Sequence, residues 1–231
     1  MSKYLGPKIR LIRKYGILPS LTVRSSKNRQ NLPGEHNEEI NYNTIQTTIF
    51  DEYKEHLIEK QKLRFNYCLT DNDIQHYYYK LKTLKNSQKR FLNYIEFRLD
   101  CLLYRLGFAK TILQARQYIN HNHILVNNKI INLPNYICNL YDIISINKLK
   151  KNSKKVVYIT YLNIKNQRQK LLQNIQDKKL FKYKVQKLLP SYLEIHEESA
   201  NLYGCIINYF NYKEALVHID ELKILQLYSL Y

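Results

Sequence analysis

RLDCLLYRLGFAKTILQARQYINHNHILV, residues 98–126, decides how this chain folds. Its first half continues an apolar stripe that starts upstream: Phe91, Leu92, Ile95, Leu99, Leu102, Leu103 and Leu106 recur at three- and four-residue steps. That spacing predicts one buried helix face, and Gly107 stands where a left-handed residue would end the helix. Thr111 then reads as the N-cap of a short helix through Ala115, Tyr118 and Ile119. The β-branched run Ile124, Val126, Ile130 and Ile131 is split by Asn127 and Asn128. Asn tolerates positive φ better than any residue but Gly, so the pair predicts the turn of a hairpin.

Arg98, Arg105, Lys110, Arg116, Gln117, His121, His123 and Lys129 surround the apolar interior of this segment. On the second helix, Lys110 beside its start, then Arg116, Gln117 and His121, are expected to fall away from Ala115, Tyr118 and Ile119. They would be free to meet RNA phosphates and 2′-hydroxyls. Arginine suits this because its planar fork grips two phosphate oxygens, while lysine supplies a point charge. By spacing alone, the same residues describe a solvated cationic face equally well.

Upstream, residues 1–30 carry Lys3, Lys8, Arg10, Arg13, Lys14, Arg24, Lys27 and Arg29 and no acid, with Gly6, Pro7, Gly16 and Pro19 interrupting regular structure. Leu5, Ile9, Leu11, Ile12, Ile17, Leu18 and Leu21 are more apolar than a disordered tail needs. A partly packed basic arm lying against phosphates is expected. Ile45, Ile49, Tyr53 and Leu57 then step at four residues towards Phe65, predicting a helix. Thr70 followed by Asp71 and Asp73 marks another helix start, which places Ile74, Tyr77, Tyr78 and Leu81 on one face. Downstream, short strands are predicted at 143–146 and 156–160, an exposed Lys/Gln-rich helix at 162–188 ended by Pro190, and a closing strand around Ile224, Leu225 and Leu227.

The bulk numbers agree with a polyanionic partner. The chain has 231 residues and a formal net charge of +18, and 45% of its residues are hydrophobic, enough to build a core. No window approaches the roughly 18 apolar residues of a membrane span, and residues 1–10 lack a secretory h-region, which points to a soluble chain. Cys68, Cys101, Cys138 and Cys205 form no Cys-x-x-Cys pair and read as small hydrophobes in a reducing compartment. Tyr 22 with Gly 5, Pro 5, Met 1 and Trp 0 is the bias of AT-rich codons.

Arg98-Leu99-Asp100, Tyr104-Arg105-Leu106-Gly107-Phe108-Ala109, Gln114-Ala115-Arg116-Gln117 and His121-Asn122-His123-Ile124-Leu125-Val126-Asn127 closely resemble, in order and spacing, the alpha-L RNA-binding motif of the small-subunit ribosomal protein four family. Glu59-Lys60-Gln61-Lys62-Leu63-Arg64-Phe65 with Tyr67 and Leu69 resembles the same family's signature. Tyr4, Gly6, Pro7, Leu18-Pro19 and Leu21-Thr22 resemble its opening, especially in plastid members, and Pro33-Gly34-Glu35-His36 a further segment. Asp220-Glu221-Leu222 to Tyr228-Ser229 resembles its terminal strand. The chain departs where the family usually has Gly: at Cys68, Asn122 and Asn128, and in the loop at Asn86-Ser87-Gln88. Residues 161–187 do not match.

The resemblance implies an α+β fold, a discontinuous helical domain plus an inserted alpha-L domain of two short helices and a small antiparallel sheet. The expected division is a basic arm at 1–42, a helical domain at 43–96, the alpha-L domain at 97–161, and a helix and closing strand at 162–231 packing back on the helical domain. It further implies direct binding of small-subunit ribosomal RNA at a multi-helix junction during early assembly, near the messenger RNA entry side and ribosomal proteins three and five. Expected RNA-binding residues are Lys3, Lys8, Arg10, Arg13, Lys14, Arg24, Lys62 and Arg64, together with the eight of the alpha-L segment. Some bacterial members carry an amino-terminal zinc cluster of cysteines; none stands here, so no metal or cofactor is expected. The family-like opening begins at Met1, leaving no room for an import presequence. With the codon bias this points to a plastid-like organelle, with a mitochondrion or an AT-rich bacterium as alternatives.

Rival readings are weaker. Arg98-Leu99-Asp100 also resembles the catalytic tripeptide of pseudouridine synthases, but those enzymes place it in a large domain downstream of an alpha-L motif. Here Asp100 is expected to orient Arg98 or cap a local amide. His121 and His123 lack a nearby carboxylate or thiolate to complete a metal site. A tRNA-binding factor would not explain the matching arm and the 59–69 segment, and nothing requires a membrane surface.

Overall fold

The computed structural model describes residues 4, 6–24, 33, 49–82, 91–147, 157–166, 189–198 and 201–229. Lys3, Ile45, the 34–36 and 86–88 segments, and most of the expected 162–188 helix lie outside them. The chain divides into two compact units, 1–91 with 217–231, and 92–216.

The first unit is helical: α1 (Lys8–Tyr15), α2 (Ile49–Asn66), α3 (Asp71–Lys82) and, at the end of the chain, a helix over Glu221–Ser229. Leu11, Leu18 and Leu21 of the arm form a buried cluster with Tyr15, Phe65 and Cys68 packed against it. Phe65 meets Tyr4 edge-on at 5.4 Å and Tyr15 stacked at 5.6 Å. Buried Ser20 donates its hydroxyl to Asn66 Oδ1 at 2.8 Å, so the arm is pinned to the end of α2. Thr70 Oγ1 accepts from Asp73 N at 3.2 Å while Asp73 Oδ2 accepts from Thr70 N at 3.0 Å, a reciprocal capping box that starts α3. The expected closing strand is a helix instead. Asp220 Oδ1 accepts from Leu222 N at 3.2 Å to cap it, and Ile224, Leu227 and Tyr228 are buried at helical spacing. Lys60 lies 5.0 Å over the Tyr228 ring.

In the second unit the single helix expected from Phe91 to Leu106 is two, α4 (Phe91–Glu96) and α5 (Leu99–Leu106). The chain turns at Phe97, and Arg98 is extended between them, because their backbone pairs elsewhere: Arg98 bridges Ile137, and Cys138 N donates to Phe97 O at 2.9 Å. Leu99 N and Asp100 N, exposed amides of the new helix start, donate to Tyr136 O and Pro134 O at 2.8 and 3.3 Å. Next comes α6 (Ile112–Asn120), capped by Thr111, whose side chain accepts from Gln114 N at 3.2 Å.

Strands β1 (Ile124–Val126) and β2 (Lys129–Ile130) form the expected hairpin, and β3 is Ile143–Ile146. The sheet then grows beyond expectation: β4 (Leu193–Glu198) and β5 (Asn201–Ile206) extend it to the antiparallel order β2-β1-β3-β5-β4. The expected boundary at Tyr161 therefore does not hold, since strands of the later segment complete this sheet rather than the helical unit. Residues 157–160, expected as a strand, begin a helix over 157–166, α7. Val157 and Tyr161 are buried one turn apart, and Tyr161 meets Phe108 edge-on at 6.0 Å. The Glu221–Ser229 helix is α8. On the sheet's inner face, Gly204 leaves room for Leu106: a Cβ there would lie 2.5 Å from its side chain.

Left-handed residues end three helices. Cys68 (φ 52), Gly107 (φ 82) and Asn122 (φ 55) each sit where the following amide reaches back to a carbonyl five residues earlier: Leu69 to Arg64, Phe108 to Leu103 and His123 to Tyr118. Asn127 and Asn128 (φ 50 and 64) make the β1–β2 turn. Cys68→Gly should raise stability by up to about 1 kcal/mol by removing Cβ strain, read as a higher urea midpoint; a lower midpoint would show that the packing of Cys68 outweighs the strain. Hydrogen bonds from Lys165, at 2.7 and 2.8 Å, and then from Tyr161 hold the Glu197 carboxyl below the ordinary 4.5. A depressed folded value contributes stability above the unfolded value that is lost as pH falls through the folded one. The acid limb of the melting curve below pH 4.5 should therefore flatten in Glu197→Gln.

Candidate nucleic-acid interface

In the second unit the expected basic residues divide into two sets. Arg98, Arg105 and Arg116 are buried, the last two at 4% and 6% exposure. This corrects the expectation that Arg116 falls away from the apolar side: with Ile112 and Ile119 it shares the inward stripe of α6. Arg98 donates to both oxygens of wholly buried Asp100, at 3.2 and 2.6 Å, and to Asn135 Oδ1 at 2.9 Å. Arg116 Nε donates to Asp100 Oδ2 at 2.8 Å. Arg105 grips buried Glu96 in a fork, at 2.9 and 2.7 Å, and buried Tyr192 donates to the same carboxylate at 3.3 Å. These guanidiniums hold α4, α5, α6 and the 134–138 segment together, so they are not presented to a phosphate. Asp100 orients Arg98, as expected.

The remaining set faces outward. Lys110, Gln117, His121 and Lys129 are exposed and His123 is half-buried. Gln114 and Gln117 share one face of α6, His121 stands at its C-terminal cap, and Lys110 lies just before its N-cap, where its backbone N donates to Gln114 Oε1 at 2.8 Å. The rings of His121 and His123 are nearly parallel, 5.9 Å apart, and Tyr118 meets His123 edge-on at 6.1 Å. Gln114 and exposed Asn120 belong to the same polar surface and are not among the expected residues; the i, i+3 step from Gln114 to Gln117 is the signal the sequence offers for Gln114. Buried Asp142 accepts from Asn127 Nδ2 and Asn139 N, both at 2.8 Å, and Asn127 Oδ1 accepts from Ile143 N at 2.9 Å. The turn that carries Lys129 is thus tied to β3. A rigid scaffold therefore presents hydrogen-bond donors, a cation at each end and ring faces, the set that RNA backbone and unpaired bases engage.

In the first unit, α1 turns Leu11 inward and leaves Arg10 and Lys14 exposed, with Arg13 half-buried. Lys14 lies 5.3 Å over the Tyr15 ring. Arg24 is exposed, and half-buried Lys8 donates to Leu21 O at 3.5 Å. Lys62 and Arg64 are half-buried and paired with Glu59 and Asp71 at 2.5 and 3.1 Å. Burial pushes the Cys101 and Cys138 thiols up, leaving both as small protonated hydrophobes. No described helix is long and apolar enough to cross a membrane.

Comparison with known proteins gives matches in both halves of the chain. Residues 3–96 match the ribosomal protein S4/S9 N-terminal domain, and residues 97–144 match the S4 domain. The chain is 38% identical to the small ribosomal subunit protein uS4c of Tupiella akineta, over 99% of each chain. It is 37% identical to that of Euglena gracilis, over 99% of this chain and 98% of the relative. Against that of Cyanophora paradoxa it is 34% identical, over 99% of this chain and all of the relative.

The geometry separates structural from surface cations experimentally. Arg105→Ala strands the buried Glu96 carboxylate and should cost about 3–5 kcal/mol, whereas Lys110→Ala should stay within about 0.5 kcal/mol of the parent. Urea denaturation compares the two; equal stabilities would remove the structural assignment of Arg105.

Proposed function

The chain belongs to the small ribosomal subunit protein uS4c family, and from that membership we propose that it holds a junction of small-subunit ribosomal RNA with the exposed polar surfaces of its units. It is a structural constituent of the small ribosomal subunit, binds ribosomal RNA through its S4 domain, and serves translation; it is not an enzyme. The observation that carries the reading is that Lys110 before α6, Gln117 on it, His121 at its end and Lys129 at the start of β2 all stand exposed. Converging phosphates repel one another, and cations held on rigid elements lower that repulsion without a conformational search. Rings such as His121 can stack on unpaired bases. Arg10, Lys14 and Arg24 supply a second cationic surface in the first unit.

Binding of this kind favours the folded junction and so promotes early steps of subunit assembly. Its setting is the ribosome of a plastid-like organelle, near the messenger RNA entry side, with ribosomal proteins three and five as neighbours. The uS4c relatives and the AT-type composition support the organelle assignment. The burial of Asp100 between Arg98 and Arg116 speaks against a nucleophilic role, because a catalytic carboxylate must reach its base.

The test is the salt dependence of affinity for a small-subunit ribosomal RNA junction fragment. Lys110→Ala combined with Lys129→Ala should weaken binding and reduce the slope of log affinity against log salt by about 1 for each phosphate that is no longer neutralised. An unchanged slope and affinity would contradict the proposed surface.

A further inference from the structure

The outer face of the β4–β5 hairpin gathers three residues that lie outside the proposed RNA-binding set. Glu194 and His196 are two apart on β4 and so project from the same face, and the register sets Cys205 directly opposite Glu194. One potential ligand atom from each of the three lies within 4.8 Å of the other two, the only such group among the described residues. His196 Nε2 is 3.5 Å from Glu194 Oε2. The imidazole is also held from its other side, because Tyr203, its cross-strand partner, stacks on it at 5.1 Å and 25°. Ile143 lies opposite Cys205 on β3 and closes the apolar flank of the cluster.

We propose that this hairpin binds a divalent cation of the zinc class through Cys205 Sγ, an imidazole nitrogen of His196 and a carboxylate oxygen of Glu194. Thiolate, imidazole and carboxylate are the donor types of borderline-soft ions, and a thiolate argues against magnesium or calcium. Ligand bonds of about 2.0–2.3 Å set tetrahedral donor separations of roughly 3.3–3.8 Å. The spacing between His196 and Glu194 already lies in that range, and Cys205 needs only a side-chain adjustment to reach it. Six paired positions between β4 and β5 fix the backbone that carries the donors. Binding converts the Cys205 thiol to a metal-bound thiolate and releases its proton to solvent. Water completes the coordination, and the ion staples the edge strand β4 to β5. Strand register brings the donors together, so no Cys-x-x-Cys spacing appears in the sequence.

The test uses the full-length reduced chain, free of RNA, titrated with Co2+ alone. Thiolate coordination produces a sulfur-to-cobalt charge-transfer band, and Zn2+ should displace the ion and abolish it. The band should persist in Cys68→Ser and be lost in both Cys205→Ser and His196→Ala. Both substitutions lie on the outer face, and unchanged circular dichroism will show that each variant folds. Absence of the band in the parent chain, its survival in Cys205→Ser, or its loss in Cys68→Ser overturns the proposal.

Discussion

Asp100 is wholly buried, and a carboxylate survives there because two guanidiniums face it, Arg98 in a fork and Arg116 through Nε. Each partner sits on a different piece of chain. Arg98 precedes α5, Arg116 lies in α6, and Asn135 brings in the segment whose carbonyls accept from the first amides of α5. Glu96, Arg105 and Tyr192 repeat the arrangement, joining α4 and α5 to the segment that leads into β4. Buried ion pairs contribute little net stability against a well-packed apolar alternative, but removing one partner strands a charge. Their consequence is geometric, because satisfying all of these groups together leaves few alternative arrangements for α5 and for α6, which carries part of the outward polar face.

That constraint changes what the +18 net charge means. Three arginines that resemble phosphate contacts in a charge pattern belong to the interior. The outward polar surface of this unit is made of fewer and more mixed groups: Lys110 and Lys129 as cations, Gln117 as a donor and acceptor, and the His121 and His123 rings. Such a surface reads shape, phosphates and unpaired bases rather than net charge alone.

Much of this was legible in advance. The α5 and α6 stripes, the Thr111 cap, the Gly107 stop and the Asn127–Asn128 turn all emerged from local rules, because each residue's own backbone preference agrees with its place. Positions 68, 122 and 128, usually Gly in the family the chain resembles, indeed take positive φ. What local rules missed was decided by tertiary contact. No Gly or Pro marks the break at Phe97–Arg98; it exists because the backbone pairs with residues 137 and 138, some forty positions away. Residues 157–160 and 224–227 are rich in β-branched or apolar side chains, yet both are helical because one face of each is buried. The charge of Arg116 points it to solvent, but its place on the Ile112–Ile119 stripe, equally legible in the sequence, puts it inside.

Amide hydrogen exchange on the full chain bearing Asp100→Asn tests the central claim most directly, since the substitution keeps the shape and removes the charge that two buried arginines share. Protection should fall together across α5, α6 and residues 134–138, while α2 and α3 of the other unit keep theirs. Unchanged protection in α5 and α6 would contradict the claim that this ion cluster holds the RNA-binding unit together.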